Sequence, residues 1–136
     1  MLKKTMTFED FDGQTVTKTF RFHLTEADVA EWEMSEGTGG LIKLMERVVA
    51  SQDGAEIVRI FKEVILRSYG ELSDDNLRFV KSEKLSEAFS QTQAYSDLFM
   101  ELATGGTDSM TNFINGILPK VKEKKPVEEK KQDEEK

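Results

Sequence analysis

Apolar residues alternate along the first two dozen positions. Leu2–Asp10 and Gln14–Leu24 flank Asp12-Gly13, and the second run is rich in β-branched and aromatic residues, which predicts a β-hairpin. A two-residue turn at Asp12-Gly13 would pair even positions with odd ones and scatter the apolar side chains over both faces. A three-residue loop, Phe11-Asp12-Gly13 with Gly13 left-handed in a bulge, pairs even with even. It gathers Met6, Phe8, Val16, Phe20, Phe22 and Leu24 on one face and leaves Thr15, Thr17, Thr19, Arg21 and His23 on the wet one.

From Thr25 the period changes from two to three or four. Thr25 with Asp28 forms a variant capping box and Leu24 can staple onto Val29, opening a helix that ends near Gly37, with Trp32 as a core anchor. Leu41–Gln52 forms a second helix after Gly39-Gly40. Asp53 caps a third through Arg67, whose apolar residues cover most of the circumference and leave Glu56, Arg59, Glu63 and Arg67 as one polar ridge. Tyr69-Gly70 closes it, with Gly70 suited to a left-handed cap. Ser73-Asp74-Asp75 is a turn. Ser82 then caps a single long helix with a stripe of Leu85, Ala88, Phe89, Thr92, Tyr95, Phe99 and Leu102, stopped at Gly105-Gly106. Asp108–Gly116 is a short last helix carrying Met110, Phe113 and Ile114, with Ile117 beyond, ended by Pro119.

The expected fold class is α+β, mostly α-helical: an N-terminal β-hairpin followed by about five helices in a single domain over residues 1–119. Residues 120–136 hold seven lysines and six acidic residues with only two valines to bury, which predicts a charged, disordered C-terminal tail. A chain of 136 residues has room for one core. Its 26 acidic and 19 basic residues give a formal charge of −7, which argues against a nucleic-acid partner. It has no cysteine for disulfide or thiolate chemistry. No apolar run reaches membrane-span length, so a soluble cytosolic protein without a membrane partner is expected.

Candidate chemistry is sparse. His23 is the sole histidine and falls on the polar strand face without converging partners, so a solvated strand residue is expected. Gly37-Thr38-Gly39-Gly40 with Lys43 lacks the phosphate-loop pattern and its preceding strand, and reads as a joint between helices. Glu71, Asp74 and Asp75 lack the alternating ligands of a calcium loop and any neighbour that would raise one carboxyl selectively, and read as a solvated turn. Catalytic, cofactor-binding and metal-binding residues are each expected to be none, and the protein is expected not to be an enzyme.

Several stretches, in order and spacing, resemble the tail assembly chaperones of long-tailed (siphovirus-type) bacteriophages of Gram-positive hosts. They are the hairpin leading into Phe22-His23-Leu24-Thr25, then Ile65-Leu66-Arg67-Ser68-Tyr69-Gly70, Ser73-Asp74-Asp75 and Arg78-Phe79-Val80-Lys81-Ser82. Phe89-Ser90-Gln91-Thr92-Gln93-Ala94-Tyr95 and Phe113-Ile114-Asn115-Gly116-Ile117-Leu118-Pro119 complete the set. The motif residues are Tyr69, Gly70, Asp74, Asp75, Phe79, Lys81, Ser82, Phe89, Ala94, Tyr95, Phe113 and Pro119, and the chain departs from the family at Asn76-Leu77, within a turn. The resemblance implies a non-enzymatic protein that coats the tape measure protein in multiple copies, self-associates along it, works in the host cell cytoplasm and is absent from the mature virion. It also implies a longer, frameshifted form that recruits tail tube protein. Two other classes fit the residues: a small regulatory adaptor or inhibitor binding a host protein, and a metal-dependent hydrolase built on the acidic turn. A tape measure gene immediately downstream would favour the chaperone over the adaptor, and activity requiring Asp74 or Asp75 with a divalent metal would favour the hydrolase.

Overall fold

Strands β1 (Leu2–Glu9) and β2 (Thr15–Phe22) pair antiparallel with Leu2 opposite Phe22 and Phe8 opposite Val16, the even-to-even register. The structure, a computed structural model, describes residues 1–36 and 40–119. The expected tail at 120–136 and Gly37–Gly39 of the glycine-rich joint lie outside the described residues. The three-residue loop is present. Gly13 adopts φ +84°, its amide donates to Asp10 O at 3.1 Å, and Asp10 N donates to Gln14 O at 2.8 Å. The Asp10 carboxylate holds the loop by accepting from the amides of Asp12 and Gln14, each at 2.9 Å. On the wet face, Thr5 and Thr7 pair through their hydroxyls with Thr19 and Thr17.

Helices α1 (Glu26–Glu36), α2 (Leu41–Ser51) and α3 (Gly54–Ser68) follow. Thr25 and Asp28 form the expected reciprocal box: Asp28 N donates to Thr25 Oγ1 and Thr25 N to Asp28 Oδ2. Asp53 accepts from Glu56 N at the start of α3. The polar ridge of α3 is a chain of ion pairs, with Arg59 between Glu56 and Glu63 and Arg67 on Glu63.

After α3 the structure departs from the sequence reading. Tyr69–Leu72 is strand β3 and Phe79–Val80 is strand β4, extending the hairpin to a four-stranded antiparallel sheet in the order β1-β2-β3-β4. Gly70 is not a left-handed cap. α3 stops when Tyr69 turns extended (φ −69°, ψ 140°), and Gly70 is a buried strand residue opposite Arg21. A Cβ there would lie 2.7 Å from Phe79 Cε2 and 2.8 Å from Lys81 Cγ, so glycine is needed for close approach.

The expected single long helix is two, α4 (Glu83–Ser90) and α5 (Gln93–Thr104). Thr92, which sequence periodicity assigns to the apolar stripe, is instead the α5 N-cap. Its Oγ1 accepts from Tyr95 N at 3.1 Å and donates to Phe89 O at 2.7 Å. A side chain that bonds the backbone on both sides of the break favours the cap over continuous helix. Helix α6 (Gly106–Ile117) brings the helices to six among the described residues, and Gly106 opens it at φ +81°.

The apolar faces meet in one core. Phe89 is its hub, with ring centroids 4.3 Å from Tyr69, 5.1 Å from Phe20 and 5.8 Å from both Phe22 and Tyr95. Ile60, Phe61, Val64 and Ile65 from α3, Leu98 and Leu102 from α5, and Met110, Phe113, Ile114 and Ile117 from α6 are buried around it. Each such side chain contributes roughly 1.5–3 kcal/mol of apolar burial. The last helix closes on the first strand: Leu2 Cδ1 lies 3.1 Å from where a Gly116 Cβ would stand, and Leu24 N donates to Ile117 O at 2.8 Å.

Candidate interaction surface

The motif residues mostly build the frame. Tyr69 stacks flat on Phe89 and donates its hydroxyl to Glu71 at 3.0 Å. Burial and the Glu71 carboxylate both push the Tyr69 hydroxyl pKa far up. Ala94 is buried and Phe113 meets Phe22 at 5.4 Å. Tyr95 lies half-buried between Phe89 and Phe99, and burial raises its pKa. Asp75 serves its turn by accepting from Ser73 Oγ at 2.7 Å and Leu77 N at 3.0 Å, bonds that lower its pKa, and Asp74 is exposed beside it. Pro119 follows α6 and is half-buried.

Lys81 and Ser82 start α4 and tie it to the rest. Ser82 Oγ accepts from Leu85 N at 3.1 Å. Lys81 Nζ donates to Asp28 Oδ2 at 2.6 Å and to His23 O at 3.1 Å, so one ammonium joins the α1 capping box, the end of β2 and the approach to α4. Partial burial alone would raise the Asp28 carboxyl, but the hydrogen bonds from Lys81 and Thr25 outweigh it and hold the pKa below the usual aspartate value.

His23 is not the solvated strand residue expected. It is half-buried, its ring meets Phe79 edge-on at 6.3 Å, and its Nδ1 is buried without a hydrogen-bond partner. Burial first, then the positive N-terminus and Lys81, lower its pKa, against a smaller opposing effect of Asp28. Strand β4 causes the difference, because Phe79 covers the face that a bare hairpin would leave wet.

What the motifs leave open is a groove along α3. Its upper part, a cleft of about 540 Å³, has Lys62, Leu66 and Arg67 of α3 on one wall and Ser82, Ser86 and Ser90 with Glu83 and Glu87 on the other. Serines at every fourth position from the α4 N-cap keep this wall low, and Ser86 Oγ donates to Leu66 O at 2.8 Å. Lys62 and Ser90 also line a second cleft of about 420 Å³ that continues between Val58 and Tyr95, Phe99 and Met100. Val58 is 51% exposed and Met100 53%, so this part of α3 and α5 offers apolar surface to solvent. Val58 is one of the apolar residues that cover most of the α3 circumference, and only the positions of α4 and α5 show that it lies at a groove mouth. From Arg67 to Val58 the groove follows α3 for about 14 Å.

The described residues thus form a small α+β domain with a helix-lined groove that has an apolar floor at one end. Among the described residues no three histidine, cysteine or acidic side chains cluster as a metal site, and no helix is long and apolar enough to cross a membrane. The sequence matches the phage tail assembly chaperone family over residues 1–136, and the chain belongs to that family. No match is found among curated proteins or among solved structures.

Proposed function

We propose that this chaperone covers apolar helical segments of the tape measure protein during tail assembly, in many copies that associate along it, and leaves before the virion is complete. The setting is the cytoplasm of a Gram-positive host of a long-tailed phage, and the protein acts by binding, without catalysis. A longer frameshifted form recruits tail tube protein in the same scheme.

The observation that carries this reading is the groove. An amphipathic helix laid between α3 and α4–α5 would set its apolar stripe on Leu66, Val58, Phe99 and Met100. Lys62 on one wall and Glu83 and Glu87 on the other make no ion pair among the described residues. They favour a helix that is acidic along one flank and basic along the other. The formal charge of −7 helps keep the free protein soluble.

Co-expression with tape measure segments of increasing length, followed by mass measurement, tests the reading. The number of bound copies should rise with segment length. Val58→Asp with Met100→Asp should weaken binding about tenfold or more while the melting temperature hardly moves, because both side chains are exposed. One copy bound regardless of length, or no binding, refutes it.

A further inference from the structure

Among the described residues, strand β1 is the end of the sheet, with no strand on its outer side. The Asp10 to Gln14 hydrogen bond fixes the phase of the β1–β2 ladder, so the even positions of β1 exchange hydrogen bonds with β2 and the odd ones do not. The amides and carbonyls of Lys3, Thr5, Thr7 and Glu9 therefore point away from the sheet. Among the described residues they have no backbone partner. The side chains at the same four positions are all exposed.

Read along the strand, these positions are Lys, Thr, Thr, Glu. The pattern is complementary to itself when the strand lies antiparallel to another copy. Lys3 then faces Glu9 of the second copy, Thr5 faces Thr7, and Met6 lies on the two-fold axis. Parallel in-register pairing would set Lys3 against Lys3, and sliding the antiparallel pair by two residues loses both Lys–Glu contacts. The charges that ordinarily keep an edge strand solitary thus select one arrangement of it.

Within one copy these charges are poorly matched. Lys3 sits directly opposite Arg21 in the β1–β2 register, a like-charge pair, and neither makes an ion pair among the described residues. A second copy would bring the Glu9 carboxylate to the open side of Lys3. It would also continue the Thr5–Thr19 and Thr7–Thr17 hydroxyl pairs into rows of four across the joint. Beyond the strand ends, Phe11, 79% exposed, and Met1, 38% exposed, would come to the same end from opposite copies.

We propose that two copies of this chain join antiparallel through the β1 edge, Lys3 to Glu9, merging their two sheets into one. About eight backbone hydrogen bonds form across the joint. The joint gives the self-association named above a specific contact, but it is a property of the chain alone and holds whether or not the tape measure protein is the partner.

Sedimentation equilibrium of the full chain over a range of concentrations, with Lys3→Glu, Glu9→Lys and the double swap, tests it. The wild type should pass from its 15.5 kDa monomer to twice that mass. Each single variant should dimerise about tenfold or more less tightly, because two like-charge contacts replace two Lys–Glu contacts. The double swap should recover the wild-type association, and mixing the two single variants should give a heterodimer. Circular dichroism should show all four proteins equally folded, since both positions are exposed. A wild type that stays monomeric at millimolar concentration overturns the proposal, as do single variants that dimerise like wild type or a double swap and mixture that stay monomeric.

Discussion

Lys81 Nζ lies 2.6 Å from Asp28 Oδ2, across 53 residues of sequence, and the same ammonium donates to His23 O. This contact holds the start of α1 against the approach to α4. Both side chains are largely shielded, at 22% and 31% exposure, so the pair is not an ordinary surface ion pair. Lys81→Met should lower stability by about 1–3 kcal/mol, since it leaves the Asp28 carboxylate without its charged donor. Asp28→Asn should cost a similar amount. In a double-mutant cycle by urea denaturation the two losses should be clearly less than additive, and full additivity would show that the contact contributes nothing.

The pH dependence of stability should carry two separable signatures. The Asp28 pKa is depressed on folding, so its contribution is present above the unfolded value near 3.8 and is lost as pH falls through the lower folded value. The His23 pKa is also depressed. The folded state resists protonation, so stability falls as pH drops below 6.5 and levels off under the folded value. Urea midpoints between pH 7 and pH 5 should decline in the wild type, and the decline should shrink in His23→Phe. An unchanged slope in that variant would assign the decline to other groups.

Gly70→Ala should destabilise by about 1–3 kcal/mol through overpacking against Phe79 and Lys81. Gly54→Ala, where an added Cβ meets nothing within 4 Å, is the control. It should be neutral or slightly stabilising in thermal melts. Equal effects at the two positions would remove the close-approach account of Gly70.

Thr92→Ala should cost about 1 kcal/mol by removing the cap of α5. Thr92→Ser, which keeps the oxygen, should recover most of it. If Thr92 belonged to an unbroken apolar stripe, serine would be as damaging as alanine, so the comparison separates the two placements.

The hairpin register was legible because only one loop length collects Met6, Phe8, Phe20 and Phe22 on a single face, and Gly13 can take the positive φ that loop requires. The caps at Thr25, Asp53 and Ser82 were legible from residue type and spacing. Strands β3 and β4 were not. Four and two residues are too few to show alternation, and Gly70 carries no strand preference at all. The break at Thr92 is hidden because threonine fits both an apolar stripe and a cap, and the cover over His23 has no local signal because Phe79 comes from a strand 56 positions away. The groove had no local signature, since its walls come from three helices whose adjacency is a tertiary fact.

The closure of α6 onto β1 has a consequence during synthesis. Leu2 and Leu24 leave the ribosome early, yet the groups they meet, Gly116 and the Ile117 carbonyl, are made more than ninety residues after either strand end. At about 5–20 residues per second the nascent hairpin waits on the order of ten seconds with its apolar face uncovered. β2 must also wait for β3 before Phe22 can pair with Tyr69. The last native contacts of the hairpin, those with α6, therefore form only once α6 has left the exit tunnel.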